Sequence, residues 1–192
     1  HKTVYLGIVV VLAFYRFNYL KAANWILFLS IVLLIGCFIL AAFGYDYPWI
    51  LSFRRVHYLP TLLDLGYLDF FKDNFMYWSE SILSGVFEYP YDQRHEFLIG
   101  EKYFNRPDMA ANNGLISDGY MNFGTLGVIL HSFLIGGYFM LLNSLRIPSR
   151  YFGLYFLVIF SFISSSIFTV FLTHGAFALL LISIFLLRER NE

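Results

Sequence analysis

Two stretches of this chain run without a charged side chain for long enough to cross a membrane. Residues 22–43 give 22 such positions and residues 124–142 give 19. A helix needs about 20 predominantly apolar residues to span a hydrocarbon core. Three shorter apolar runs accompany them: 3–15, which ends at Arg16, then 151–168 and 170–187. The pattern predicts five helical spans. The last two are barely separated, so a tight turn is expected within 164–174, where Ser164, Ser165, Ser166, Thr169 and Thr173 can satisfy freed backbone groups. The third helix is expected to begin near Ser117, with Ser117 or Asp118 as its N-cap. Gly124, Gly127, Gly136 and Gly137 in that span read as sites of close helix packing.

Residues 44–123 form a polar excursion between the second and third spans. Loops of such length are uncommon unless they carry function. Pro48 and Pro60 each stand where a helix can begin. Behind them, Trp49, Ile50, Phe53 and Val56, then Leu62, Leu63, Tyr67, Phe70 and Phe71, recur at helical spacing. Segments 48–59 and 60–72 therefore read as short amphipathic helices at a membrane interface, with 78–87 as a third. Tyr89-Pro90-Tyr91-Asp92 and Asn112-Asn113-Gly114 read as turns.

Composition sharpens this picture. The chain is 59% hydrophobic and 14% charged, whereas soluble domains carry about 25% charged residues. The expected fold class is an all-α integral membrane protein, a polytopic helical bundle with a large extracytoplasmic loop. Residues 1–43 hold spans one and two, 44–123 the loop with the functional site, and 124–192 spans three to five and a short tail. Arg16 and Lys21, Arg146 and Arg150, and Arg188 and Arg190 fall on one side of an alternating five-span chain. Lys/Arg excess marks the cytoplasmic side. The loop, with six basic and eleven acidic groups, then faces outward.

A formal net charge of zero offers no electrostatic footprint for nucleic acid. The single cysteine, Cys37, implies neither a disulfide nor a metal cluster. His1 in place of a start methionine suggests the later part of a longer protein, and no cleavable signal peptide is visible. Paired aspartates, zinc-binding His-Glu-x-x-His and phosphate loops are absent from the sequence, so no metal, nucleotide or other cofactor is expected.

Basic clusters with neighbouring acid–base groups remain: Arg54-Arg55-Val56-His57, Arg94-His95-Glu96, and Arg106. Guanidinium forks match phosphate oxygens, and an imidazole or carboxylate can take a proton from a hydroxyl. Beside a membrane these suit a lipid-linked phosphate substrate. The plainer reading gives the same arginines to lipid headgroups or to nearby acids. His131 lies mid-span, where an ionisable group is costly unless partnered, and His174 lies near the outer end of span five.

The run Arg55-Val56-His57-Tyr58-Leu59-Pro60, continuing to Tyr67-Leu68-Asp69-Phe70-Phe71, resembles a stretch of the bacterial oligosaccharide repeat-unit polymerases, the O-antigen and capsule polymerase family. Phe97-Leu98-Ile99-Gly100 and the run from Asn113 to Gly127, with Asp118-Gly119-Tyr120-Met121-Asn122-Phe123-Gly124, look like that family's approach to a late span. The resemblance covers about 54–127. It implies a membrane glycosyltransferase that moves a growing glycan from a polyprenyl diphosphate carrier onto a new lipid-linked repeat unit, without nucleotide sugar or metal. The substrate is then a polyprenyl-diphosphate-linked oligosaccharide on the outer face of the cytoplasmic membrane. Membrane lipids, a chain-length-determining co-polymerase and a repeat-unit flippase are the implied partners.

Negative charge grows on the diphosphate as it leaves, and arginines aimed at it stabilise that charge. Arg55, which matches the motif, is the first choice, followed by Arg94, with Arg54 and Arg106 weaker. His57, His95 and Glu96 are candidates for the base. For Asp118, helix capping outweighs that role. A sister ligase, a transporter or flippase of the lipid-linked unit, and a non-enzymatic scaffold are the competing readings.

Overall fold

The computed structural model describes residues 2–17, 19–112 and 114–188, with the backbone alone at 2–6, 19, 20, 22, 55 and 56. The described residues form helices and turns and contain no strand. Helix α1 (Lys2–Arg16) leads into α2 (Tyr19–Ala42), and α3 (Tyr47–Phe53) runs through a π-helical turn (Arg54–Tyr58) into α4 (Leu59–Phe70). After a long irregular stretch come α5 (His95–Phe104), α6 (Leu115–Ser144), α7 (Phe152–Ser161), α8 (Ile167–Leu172) and α9 (Ala176–Ile182).

Two helical segments are long and apolar enough to cross a membrane, Ala23–Ala42 and Leu115–Ser144. The first has none of its apolar window buried, leaving an uncovered greasy rod. The other expected spans are shorter. The run 151–168 ends as a regular helix at Ser161, and 170–187 is broken at Thr173–Gly175, where Gly175 has φ 87°. Two turns thus replace the single expected one. The first carries a hydroxyl device: the Ser166 side chain caps α8 by accepting from the Thr169 amide.

The two proline signals are borne out, since Pro48 and Pro60 both lie in the first turn of their helices. The helices are not separate, however. Pro60 has no amide hydrogen to continue the ladder, and the widened turn before it makes room for its ring. Leu59 N–H reaches back five residues to the Arg54 carbonyl instead. The expected helix over 78–87 is replaced by turns, because Tyr77 and Trp78 hold left-handed backbone angles (φ 49° and 56°) that bar a helical start.

Helix α6 is the element that positions the site, and it is not straight. Helical geometry lapses at Phe123 (φ −143°) and at Gly124 (φ 62°). The two segments fold back until Gly119 and Gly127 touch backbone to backbone. A Cβ on Gly127 would lie 1.9 Å from the Gly119 carbonyl oxygen. The loop satisfies the carbonyls at the break. Met76 N–H donates to Met121 O at 2.8 Å and Tyr77 N–H to Asn122 O at 3.2 Å. Trp78 N–H donates to the Asn122 side-chain oxygen at 2.7 Å. Non-helical backbone inside an apolar span is tolerated where protein supplies such partners.

Two cores flank this latch. One joins α6–α9 through Tyr138, Leu142, Tyr155, Phe162, Val170 and Leu179. The other joins α4, α5 and the loop through Leu63, Tyr67, Phe71, Met76, Ile99 and Met121. Helix α1 lies along α7, where Phe14 packs on Phe152 and Gly153 meets the Val11 backbone.

Candidate functional site

The break in α6 leaves a cavity of about 450 Å3, walled by Trp78, Glu80, Arg94, His95, Asp118, Asn122 and the start of α8. Arg94 is the residue before α5, and His95 and Glu96 open that helix. An acidic side chain is favoured in a first helical turn. Glu80 comes from the turn-rich loop and closes the group. Arg94 donates from Nε to Glu80 Oε1 at 3.1 Å and from Nη2 to Glu96 Oε1 at 2.9 Å. His95 Nδ1 contacts Glu80 Oε2 closely and stands 3.4 Å from Glu96 Oε2. Glu96 is buried, at 2% exposure, and its Oε2 accepts no hydrogen bond among the described residues. Burial raises the Glu80 carboxyl, but hydrogen bonds and charge from His95 and Arg94 outweigh it, leaving it below the usual carboxylate range.

Asp118 and His131 stand behind this rim. Asp118 was expected to cap its own helix, but Gly114 is the N-cap of α6. The Asp118 carboxylate instead caps α8, accepting the Ile167 N–H on Oδ2 at 2.7 Å. Ser117, the other expected cap, donates to Asp64 Oδ1 at 2.5 Å. Asn122, one turn on from Asp118, donates to its Oδ1 at 3.2 Å while accepting from Trp78. His131 is fully buried, with Nδ1 3.7 Å from Asp118 Oδ2 and neither ring nitrogen hydrogen-bonded among the described residues. Its ring lies nearly parallel to Trp78, with centroids 6.0 Å apart.

The structure thus brings together Arg94, His95 and Glu96 and joins Asp118 to the same cavity. Arg54 and His57 do not line it. Both lie on the π-helical turn, exposed, with His57 against the Phe53 ring at 5.2 Å between centroids. The backbone of Arg55 belongs to that turn too, while its side chain lies outside the described residues. Arg106 is exposed beyond α5, and His174 stands in the turn between α8 and α9.

Sequence reasoning missed Glu80 and Asn122. For Asn122 the signal was legible, since four residues after Asp118 is the same helical face. For Glu80 there was none, because the loop that brings it to Arg94 has no periodicity. Glu80, His95 and Glu96 are also the residues placed to hold a metal ion, each offering a ligand atom within 4.8 Å of the others. A second cavity, about 410 Å3 between α6 and α7, has one charged side chain in its lining, Arg146.

No protein-family model, curated protein or solved structure matches this chain.

Proposed function

We propose that this chain serves a membrane glycosyltransferase reaction, the polymerisation of polyprenyl-diphosphate-linked oligosaccharide repeat units, with the cavity at the α6 break as the carbohydrate site. The supporting observation is the wall itself. An indole (Trp78) faces an amide, an imidazole and carboxylates at the loop end of an apolar helix. Sugars are held by an aromatic plane under their C–H faces and by acids and amides around their hydroxyls. The two carboxylates in this wall, Glu80 and Asp118, balance its two basic groups, Arg94 and His95, so it offers no excess positive charge to a diphosphate. The diphosphate is then assigned to the π-helical turn that carries Arg54, Arg55 and His57, and π turns inside helices recur at functional sites.

In this reading Asp118 takes the proton of the acceptor hydroxyl, since its carboxylate borders the cavity. Arg54 and Arg55 meet the charge that grows on the leaving diphosphate. The five-span arrangement, with 44–123 outside the cytoplasm, is part of the same proposal. The test is the ladder of lipid-linked glycan lengths in a bacterial strain lacking its own polymerase. Arg55→Ala and Asp118→Asn, at wild-type protein level, should each reduce polymer by about a hundredfold. A wild-type ladder from both variants overturns the reading.

One observation favours a second reading. A discontinuous helix with its break at a polar cavity is a transporter feature, and α6 is broken at Phe123–Gly124. A flippase of the lipid-linked unit predicts that loss of the chain strands single units on the cytoplasmic face. Loss of a polymerase leaves them on the outer face.

A further inference from the structure

We propose that Glu80, His95 and Glu96 form a divalent-cation site in the wall of the cavity. The two carboxylates divide their oxygens. Their Oε1 atoms are both held by Arg94, at 3.1 and 2.9 Å. Their Oε2 atoms are both turned toward His95 Nδ1. An imidazole nitrogen carries at most one proton, and the much closer contact directs it at Glu80. Glu96 Oε2 is therefore left without a donor in a side chain that is 3% exposed. A buried carboxylate oxygen without a partner is costly, and such exceptions in folded proteins call for an explanation.

A cation supplies it, taking the place of the Nδ1 proton, which is released to solvent. His95 Nδ1 and Glu96 Oε2 stand 3.4 Å apart, about the separation of two ligands on one tetrahedral ion with bonds of about 2.1 Å. Glu80 Oε2 is within 4.8 Å of both. Arg94 then acts from outside the ligand shell, fixing the carboxylate planes through the oxygens that do not ligate, as outer partners of metal sites do. One imidazole with two carboxylates suits Mn2+ or Zn2+ better than Ca2+, which takes an all-oxygen shell. Three protein ligands leave further positions for oxygens from the cavity. The site draws Glu80 and His95 from the wall of the proposed carbohydrate cavity, does not depend on that reading, and revises the expectation of a metal-free chain.

The test is titration of the full chain in detergent micelles with Mn2+ alone, followed by the loss of the free-ion electron paramagnetic resonance signal. One ion per chain should be held at micromolar concentration. Glu96→Gln and His95→Gln should each weaken binding about tenfold to a hundredfold, with thermal unfolding confirming that each variant is folded. Asp73→Asn, exposed in the loop and outside the cavity lining, should bind as wild type does. If a variant fails to fold, Glu80→Gln, on the more exposed ligand, replaces it with the same expectation. Wild-type protein that holds no Mn2+ below millimolar concentration overturns the proposal. So does undiminished binding by folded ligand variants. Neither outcome bears on glycan polymerisation, which this experiment does not measure.

Discussion

Tyr67 reports on the loop core at the level of a single hydroxyl. Its ring is 2% exposed and its hydroxyl donates to the Ala111 carbonyl at 3.0 Å. Burial first, then the charges of Glu96, Asp118 and Glu80, push the phenol above its ordinary value of 10.0. A raised folded value favours the protonated form, so this contribution to stability is complete below about pH 10 and fades as pH rises beyond it. Thermal unfolding in detergent should show the midpoint falling above pH 10, and Tyr67→Phe should flatten that fall. At neutral pH the same variant loses about 1 kcal/mol for the hydrogen bond. An equal alkaline fall in both proteins overturns the assignment.

Asp118 makes a second prediction at this scale. Asp118→Ala leaves the Ile167 amide without its acceptor and costs about 1–3 kcal/mol. Asp118→Asn keeps an acceptor oxygen and costs less, so stability and polymer length should separate in that variant. The capping chemistry of Asp118 was legible in the sequence. Which helix it caps was not, because Ile167 lies 49 residues away and no local pattern encodes that meeting.

Glycines divide sharply along α6. Gly127 stands against Gly119, whereas a Cβ at Gly136 would meet nothing within 4 Å. Gly127→Ala must force the two segments apart and should cost about 1–3 kcal/mol or more. Gly136→Ala should be neutral or stabilise by about 0.5–1 kcal/mol through helix propensity alone. Unfolding midpoints in one detergent compare them directly, and equal effects would show that the segments do not cross there. Sequence reading treated all these glycines alike as packing sites, since spacing along one helix cannot reveal a fold-back. Proline positions fared better: a missing amide acts locally, so Pro48 and Pro60 mark their helices wherever the rest of the chain goes. The stretch 78–87 failed for the opposite reason. Its composition permits a helix, but hydrogen bonds to the α6 break fix the backbone just before it in left-handed angles.

For the whole molecule, hydrophobic runs announced helices and located the two long apolar ones, because an uninterrupted apolar composition is itself the signal for them. They overstated the length of the later helices, where single turns of serine, threonine and glycine cut the run. The sidedness of the polar segment is testable directly. With Cys37 replaced, Glu88→Cys in the exposed loop should react with a membrane-impermeant thiol reagent in intact cells. A cysteine beside Arg146 should react only after the membrane is opened. Reaction of Glu88→Cys in inverted vesicles alone reverses the orientation.

The contact between loop and α6 also sets an order of events during synthesis. Trp78 precedes its partner Asn122 by 44 residues, so the ribosome releases the clasp before the element it fastens. The segment around Met76 is already free of the ribosome while the later sequence emerges. When residues 121–124 arrive, the amides of Met76 and Tyr77 are in place to receive them, and the chain bends there rather than threading onward as one rod. The shape of α6 is thereby an instruction written upstream. A chain whose clasp segment were moved after Ser144 would complete residues 115–144 before anything could bend them.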